Sequence, residues 1–168
     1  SCLTPIYCSV TEVPECFDEE NGSMVEYSPT SAFWLFNRIT NFAYMRYDMM
    51  STDIRKVTDR WENDRIAEIP TIDARAVELY AKKPAKAIAM LTEYSVETAH
   101  KMFERWQELD RYMLVKYIDG NVKFEKDGRF EDNGFDERIP AMPLFPGYNE
   151  KWKRAVVEDA GETLKVVK

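Results

Sequence analysis

With 168 residues, 45% hydrophobic and 32% charged, the chain can bury the core of one domain and is too apolar to be disordered. A formal net charge of -7 argues against a nucleic-acid backbone as partner. No apolar run approaches the ~18 residues of a membrane-spanning helix.

The chain opens SCLTPIY, without the basic leader and apolar block of a secretory signal. Residues 1–27 predict an extended segment. Ile6, Cys8 and Val10 alternate with Tyr7, Ser9 and Thr11, while Pro5 and Pro14 restrict any strand here to a short or edge one. The three cysteines, Cys2, Cys8 and Cys16, are odd in number and too widely spaced for a zinc knuckle, so reduced, partly buried thiols are expected. Residues 18–22, DEENG, predict a solvated acidic turn.

Residues 28–118 predict the helical bulk. From Ser31 to Glu68 there is neither proline nor glycine, and Phe36, Ile39, Ala43, Tyr47, Met50, Ile54, Val57 and Trp61 step by threes and fours along one helical face. Ser28 before Pro29 is the expected start signal and Pro70 the expected stop. Residues 33–50 are apolar nearly all round, the pattern of a buried helix, whereas residues 51–68 carry a single apolar stripe. An unbroken helix of this length would span roughly 57 Å, against a radius of gyration of about 15 Å for a compact chain of this size. The helix must therefore break, with Ser51-Thr52-Asp53 the expected place, or extend beyond its own domain. Short helices are predicted at 72–82, capped by Thr71, and at 84–91, opened by Pro84. A second long helix is predicted at 95–117, with Val96, Ala99, Phe103, Trp106, Met113 and Tyr117 as its stripe and Asp119-Gly120 as its stop.

Residues 119–168 predict a hairpin over 121–130 around Asp127-Gly128, a loop over 131–148, a short helix at 150–160 and a short strand at 164–167. For the hairpin a three-residue loop is expected, because it would put Phe124 and Phe130 on one face. The fold class is thus mainly α: two long helices, shorter helices and small extended pieces, with neighbouring helices antiparallel.

Motifs that carry chemistry are scarce. There is no GxSxG, HExxH, P-loop or GxGxxG. His100 lacks a partner at a readable spacing and is expected to be structural or exposed. Asp132, Asp136 and Glu137 near Asn133-Gly134 do not fit a calcium loop and read as solvated carboxylates. Asn37, Arg38, Asn41, Arg46 and Asp48 are polar groups within the apolar half of the first long helix. They are expected to bond to neighbouring loops, or to contribute to a site completed elsewhere. Ser1 followed by Cys2 invites comparison with hydrolases whose N-terminal residue is the nucleophile. The chain lacks the strands of that architecture, and Pro5 sits where a central strand would run. No catalytic, cofactor-binding or metal-binding residue is therefore expected.

CLTPIY at 2–7, SAFWLFNRITNFAYMRYD at 31–48, YMLVKYIDGNVK at 112–123 and YNEKWKRAVVEDAG at 148–161 together resemble the C-terminal part of the PepD-type dipeptidases, cysteine peptidases of the N-terminal-nucleophile class. The resemblance implies hydrolysis of dipeptides without a metal or other cofactor, by a cysteine at the mature N-terminus of the complete protein whose amine acts as base. It also implies that this cysteine and the αββα sandwich around it precede these residues. Cys2 falls in the CLTPIY stretch, so no catalytic residue carries over, and the chain by itself is expected to be inert. The implied partners are the catalytic segment of the same polypeptide, a dipeptide substrate and further copies of the chain. Relatives include cytoplasmic and exported proteins, which leaves the compartment open. The competing expectation is a stand-alone helical interaction module that binds through the aromatic face near 33–42, and a third is a small-ligand pocket between the long helices.

Overall fold

The computed structural model describes Tyr7 and residues 11–139. The expected cysteines at 2 and 8, the helix at 150–160 and the strand at 164–167 lie outside the described residues. The bulk is helical, as the periodicity predicts. Helix α1 spans Ala32–Ala43, α2 spans Tyr47–Lys82 and α3 spans Pro84–Lys116; a two-stranded antiparallel hairpin, β1 at Lys123–Lys126 and β2 at Arg129–Phe135, follows.

The first long helix both breaks and outgrows its core. The break lies at Tyr44–Arg46, a single 3₁₀ turn, and not at Ser51-Thr52-Asp53. Arg46 leaves helical geometry there (φ -145°, ψ 57°). Its buried guanidinium turns back onto Asp48, with Nε 3.3 Å from Oδ1, and reaches Met49 Sδ at 3.7 Å. Ser51 to Asp53 instead continue the helix, because Met50 and Asp53 are held in the interior. Nor is Ser28 the cap. Its Oγ donates to Asn21 Oδ1 at 2.9 Å, and Ser31 occupies the N-cap position of α1.

Pro70 does not stop α2, which runs through it to Lys82 and absorbs the predicted helix at 72–82. Proline lacks the N–H that would bond the Ile66 carbonyl and crowds that carbonyl. Here Ile66 and Pro70 are both exposed, so water can satisfy the freed oxygen while the opposite face stays packed on α3. Replacing Pro70 by alanine should raise stability by about 1–2 kcal/mol, the helix-interior penalty less the chain entropy that alanine regains on unfolding. Urea unfolding of the two proteins reads this directly, and a lower midpoint for the alanine variant would contradict it.

α3 is likewise one helix of 33 residues, not two. No proline or glycine interrupts it after Pro84, and Thr92 in the expected gap and Ser95 at the expected start of the second helix are both buried. Their hydroxyls accept backbone N–H groups of the N-terminal segment: Thr11 N–H to Thr92 Oγ1 at 3.2 Å and Tyr7 N–H to Ser95 Oγ at 3.3 Å. Side chains of α3 thereby do for this segment what a neighbouring strand would do in a sheet. α2 and α3 lie against each other, joined through Lys83 alone. The 36 residues of α2 would span about 54 Å at helical rise.

The core gathers Leu35, Ile39, Met50, Met102, Trp106, Leu109, Met113, Tyr117 and Val122 from α1, the first half of α2, the second half of α3 and the hairpin base. Phe36 and Trp61 meet Trp106 edge-on, with centroids 5.9 and 6.3 Å away. Beyond Trp61 the helix pair continues as an arm whose buried hydrophobic contacts are small, chiefly Ala76 and Ala87.

The β-hairpin turns through two residues, not three. Lys126 pairs with Arg129 and Glu125 with Phe130, while Asp127 and Gly128 take φ of 52° and 74°. Positive φ at both central residues suits Asp-Gly and matches the twist of the strands. The one-face argument for Phe124 and Phe130 fails because each ring has its own partner. Phe130 packs on Tyr112 at 5.5 Å and Phe124 lies under the Arg138 guanidinium at 5.3 Å. A register irregularity between Lys123 and Glu125 lets β2 continue to Phe135, into the stretch expected to be loop.

Candidate functional site

The most concentrated polar chemistry lies where α2, α3 and β1 meet. Asp53 falls within the apolar stripe of α2, three residues after Met50 and four before Val57, which turns it inward. Its side chain is about 9% exposed. Lys116 Nζ reaches its Oδ2 at 2.7 Å, the Tyr117 hydroxyl donates to the same oxygen at 2.5 Å, and Lys56 Nζ stands 3.3 Å from Oδ1. Lys116 also donates to the Tyr112 hydroxyl at 2.9 Å, which donates in turn to Glu125 Oε2 at 3.1 Å. Three elements are thus joined through one carboxylate and one ammonium.

The electrostatics follow from this packing. Burial alone would push the Asp53 carboxyl up, but the Lys116 and Tyr117 hydrogen bonds outweigh it and hold it below the usual carboxylate range. Burial would lower the Lys116 ammonium, and its bond to Asp53 reverses that and holds it above the usual value. Burial and the Asp53 hydrogen bond both push the Tyr117 hydroxyl up, so it stays protonated. Asp53 is thus ionised and Lys116 charged at neutral pH. The cluster ties α2, α3 and β1 together.

Beside it runs a groove of about 410 Å³, lined by Asp53, Lys56, Arg105, Glu108 and Tyr112 among others. Farther along the same helix pair a second groove of about 460 Å³ includes Trp61, with the Arg65 guanidinium 4.7 Å from its ring centroid. The space expected between the long helices therefore exists, as open grooves with charges of both signs. Many of these charges are matched locally: Arg105 meets Glu108 at 2.6 Å, Lys101 meets Glu97 at 3.0 Å and Arg65 meets Glu68 at 2.8 Å.

The polar residues singled out in α1 and at its end go to different places. Arg38 makes a two-pronged pair with buried Asp110 of α3, its Nε 3.0 Å from Oδ1. The partner is a helix and not the loop expected. The Asn37 amide donates to its own helix, to Phe33 O at 2.8 Å, and Asn41 is exposed. Arg46 and Asp48 pair with each other. These residues are not brought together into one site.

The remaining described candidates form no nucleophile–base pair with one another. The Cys16 thiol is buried against the Ala99 carbonyl, 4.0 Å away, and burial pushes it up, away from the reactive thiolate. His100 is exposed. Asp136 is engaged on both oxygens by Arg138, at 2.8 and 2.7 Å. Among the described residues no three His, Cys, Asp or Glu are grouped so as to hold a metal ion, and no helix is long and apolar enough to cross a membrane. Ser1 and Cys2 lie outside the described residues.

The apolar half of the first long helix is not fully covered. Phe33 is 41% exposed, Tyr44 51% and Met45 38%. Trp34 is half-buried, its indole N–H shared between the Ser23 and Glu26 carbonyls at 3.0 and 2.8 Å. Comparison with known proteins bears on this same region. Residues 1–60 match the family model described as Peptidase family C69. No curated protein and no solved structure matches the chain.

Proposed function

We propose, from the peptidase family C69 region at residues 1–60, that this chain is the helical C-terminal portion of a cysteine-type dipeptidase. In this reading the nucleophilic cysteine and the αββα layers are supplied by a preceding segment of the same polypeptide. The observation that carries it is the coincidence of two features: the matched residues include the stretch where Phe33, Tyr44 and Met45 stand exposed. Exposed apolar side chains at both ends of this helix offer places that another layer can cover. The Asp53–Lys116–Tyr117 cluster supports a supporting role, since it fixes α2, α3 and the hairpin relative to one another without offering a nucleophile beside a base.

Residues 1–168 alone should leave dipeptides intact. The polypeptide that joins them to the preceding segment should hydrolyse dipeptides and lose that activity when its N-terminal cysteine is alkylated. Hydrolysis by residues 1–168 alone, or activity of the longer protein that survives alkylation, would overturn the proposal. The stand-alone interaction module uses the same exposed aromatic face, and a reading frame that starts next to Ser1 would favour it.

A further inference from the structure

The free end of the α2–α3 arm differs from the rest of the molecule. Residues 80–91, YAKKPAKAIAML, contain Lys82, Lys83 and Lys86 and no acidic residue, in a chain of formal net charge -7. A groove of about 430 Å³ between the helix ends is lined by Val77, Tyr80, Ile88 and Leu91 with small alanines. Val77 is 72% and Tyr80 58% exposed.

Local helix energetics do not account for all three lysines. Lys82 suits the C-terminus of α2 and pairs with Glu78 at 2.9 Å. Lys83 and Lys86 stand at the opposite kind of terminus. Lys83 is the N-cap of α3 and makes no side-chain cap bond, and the first turn of α3 holds no acidic residue. Cations at a helix N-terminus oppose the macrodipole, so positive charge is concentrated where the helix alone would favour the reverse.

We propose that this tip is a peripheral docking surface for an anionic membrane, with Val77, Tyr80 and Ile88 entering the headgroup layer and the lysines meeting acidic lipids. The contact lies on the bilayer and does not span it, and it is independent of the peptidase reading. Charge and shape select this occupant. A second copy docked tip to tip would bring lysine against lysine. A specific protein partner buries about 800 Å² per side, whereas the blunt end of two helices, each about 10 Å across, offers on the order of 200 Å². A bilayer requires no matching cavity. Tyrosine favours its interface, and lysine stems lie along apolar groups while their ammonium ends reach the headgroups. Each lysine near an anionic surface strengthens partitioning about fivefold, so Lys83 and Lys86, with Lys82 matched by Glu78, amount to roughly twenty-five-fold.

Co-sedimentation of the full-length protein with vesicles tests this. Binding to vesicles of phosphatidylcholine containing phosphatidylglycerol should exceed binding to pure phosphatidylcholine by at least about tenfold and should weaken as salt is raised. The exposed double substitution Lys83→Glu with Lys86→Glu should remove that difference while leaving the circular dichroism spectrum and the oligomeric state unchanged. Absence of binding, equal binding to both vesicle types or an unaffected double variant would overturn the proposal. Loss of a dimer or of a protein complex in that variant, without lipid binding by the parent, would overturn it in favour of a protein interface.

Discussion

Replacing Asp53 by alanine should cost about 3–5 kcal/mol of stability, the range for removing one member of a buried charge pair. The loss arises less from the missing contacts than from what stays behind: the Lys116 ammonium and the Tyr117 hydroxyl, packed between α2, α3 and the hairpin without their acceptor. A double substitution, Asp53→Leu with Lys116→Met, should recover much of it, since an apolar pair of similar volume leaves no stranded charge. If each single variant costs under about 1 kcal/mol, the cluster is not the junction described. The pH dependence has a fixed sign. Because the folded-state Asp53 lies below its usual value, its contribution is present above about pH 4 and is lost as pH falls through the folded value. The Asp53→Asn variant should therefore lose less stability than the parent between about pH 5 and pH 2. For Lys116, held above its usual value, the contribution is present below about pH 10 and is lost as pH rises through the folded value.

Trp106→Ala should be comparably severe, about 3–5 kcal/mol. Trp106 is 2% exposed and takes edge-on contacts from Phe36 of α1 and Trp61 of α2. Its removal opens a cavity where three helices converge, and those neighbours are themselves too large and too tightly held to fill it. For a chain of this size the midpoint of thermal unfolding should fall by roughly 10 °C. Trp106→Phe should lose less than half as much, because it keeps a ring in the site. A tolerant Trp106→Ala protein would mean that α3 is packed in some other rotation about its axis.

Much of this architecture was legible because long helices announce themselves by spacing. The stripe from Phe36 to Trp61 and the stripe from Ala99 to Tyr117 both face the core as read. What failed was punctuation. Pro70 reads as a stop, but two strong helical flanks packed on α3 outweigh one proline on the exposed side. The break expected between residues 91 and 95 is absent, and the Thr92 and Ser95 hydroxyls are occupied by a segment some eighty residues away, which local spacing does not reveal. The Asp-Gly turn was locally explicit, and the argument that set it aside assumed that two aromatic rings must share a face. The Asp53 junction was missed although its signal was present: an acidic residue in register with an apolar stripe needs a buried cation. Arg38 was noticed, but the identity of its partner, Asp110, depends on how the helices cross and is not written in either helix alone.

The docking of the N-terminal segment on α3 sets an order of events during synthesis. Thr11 leaves the ribosome 81 residues before Thr92, its hydrogen-bond partner. At about 5–20 residues per second that is a wait of roughly 4–16 s. Over this interval the backbone donors of the segment can be satisfied only by water or by a transient partner. The α2–α3 pair, closed by a single-residue joint, needs no distant contact to begin forming. The segment is therefore made well before the helix surface that holds it.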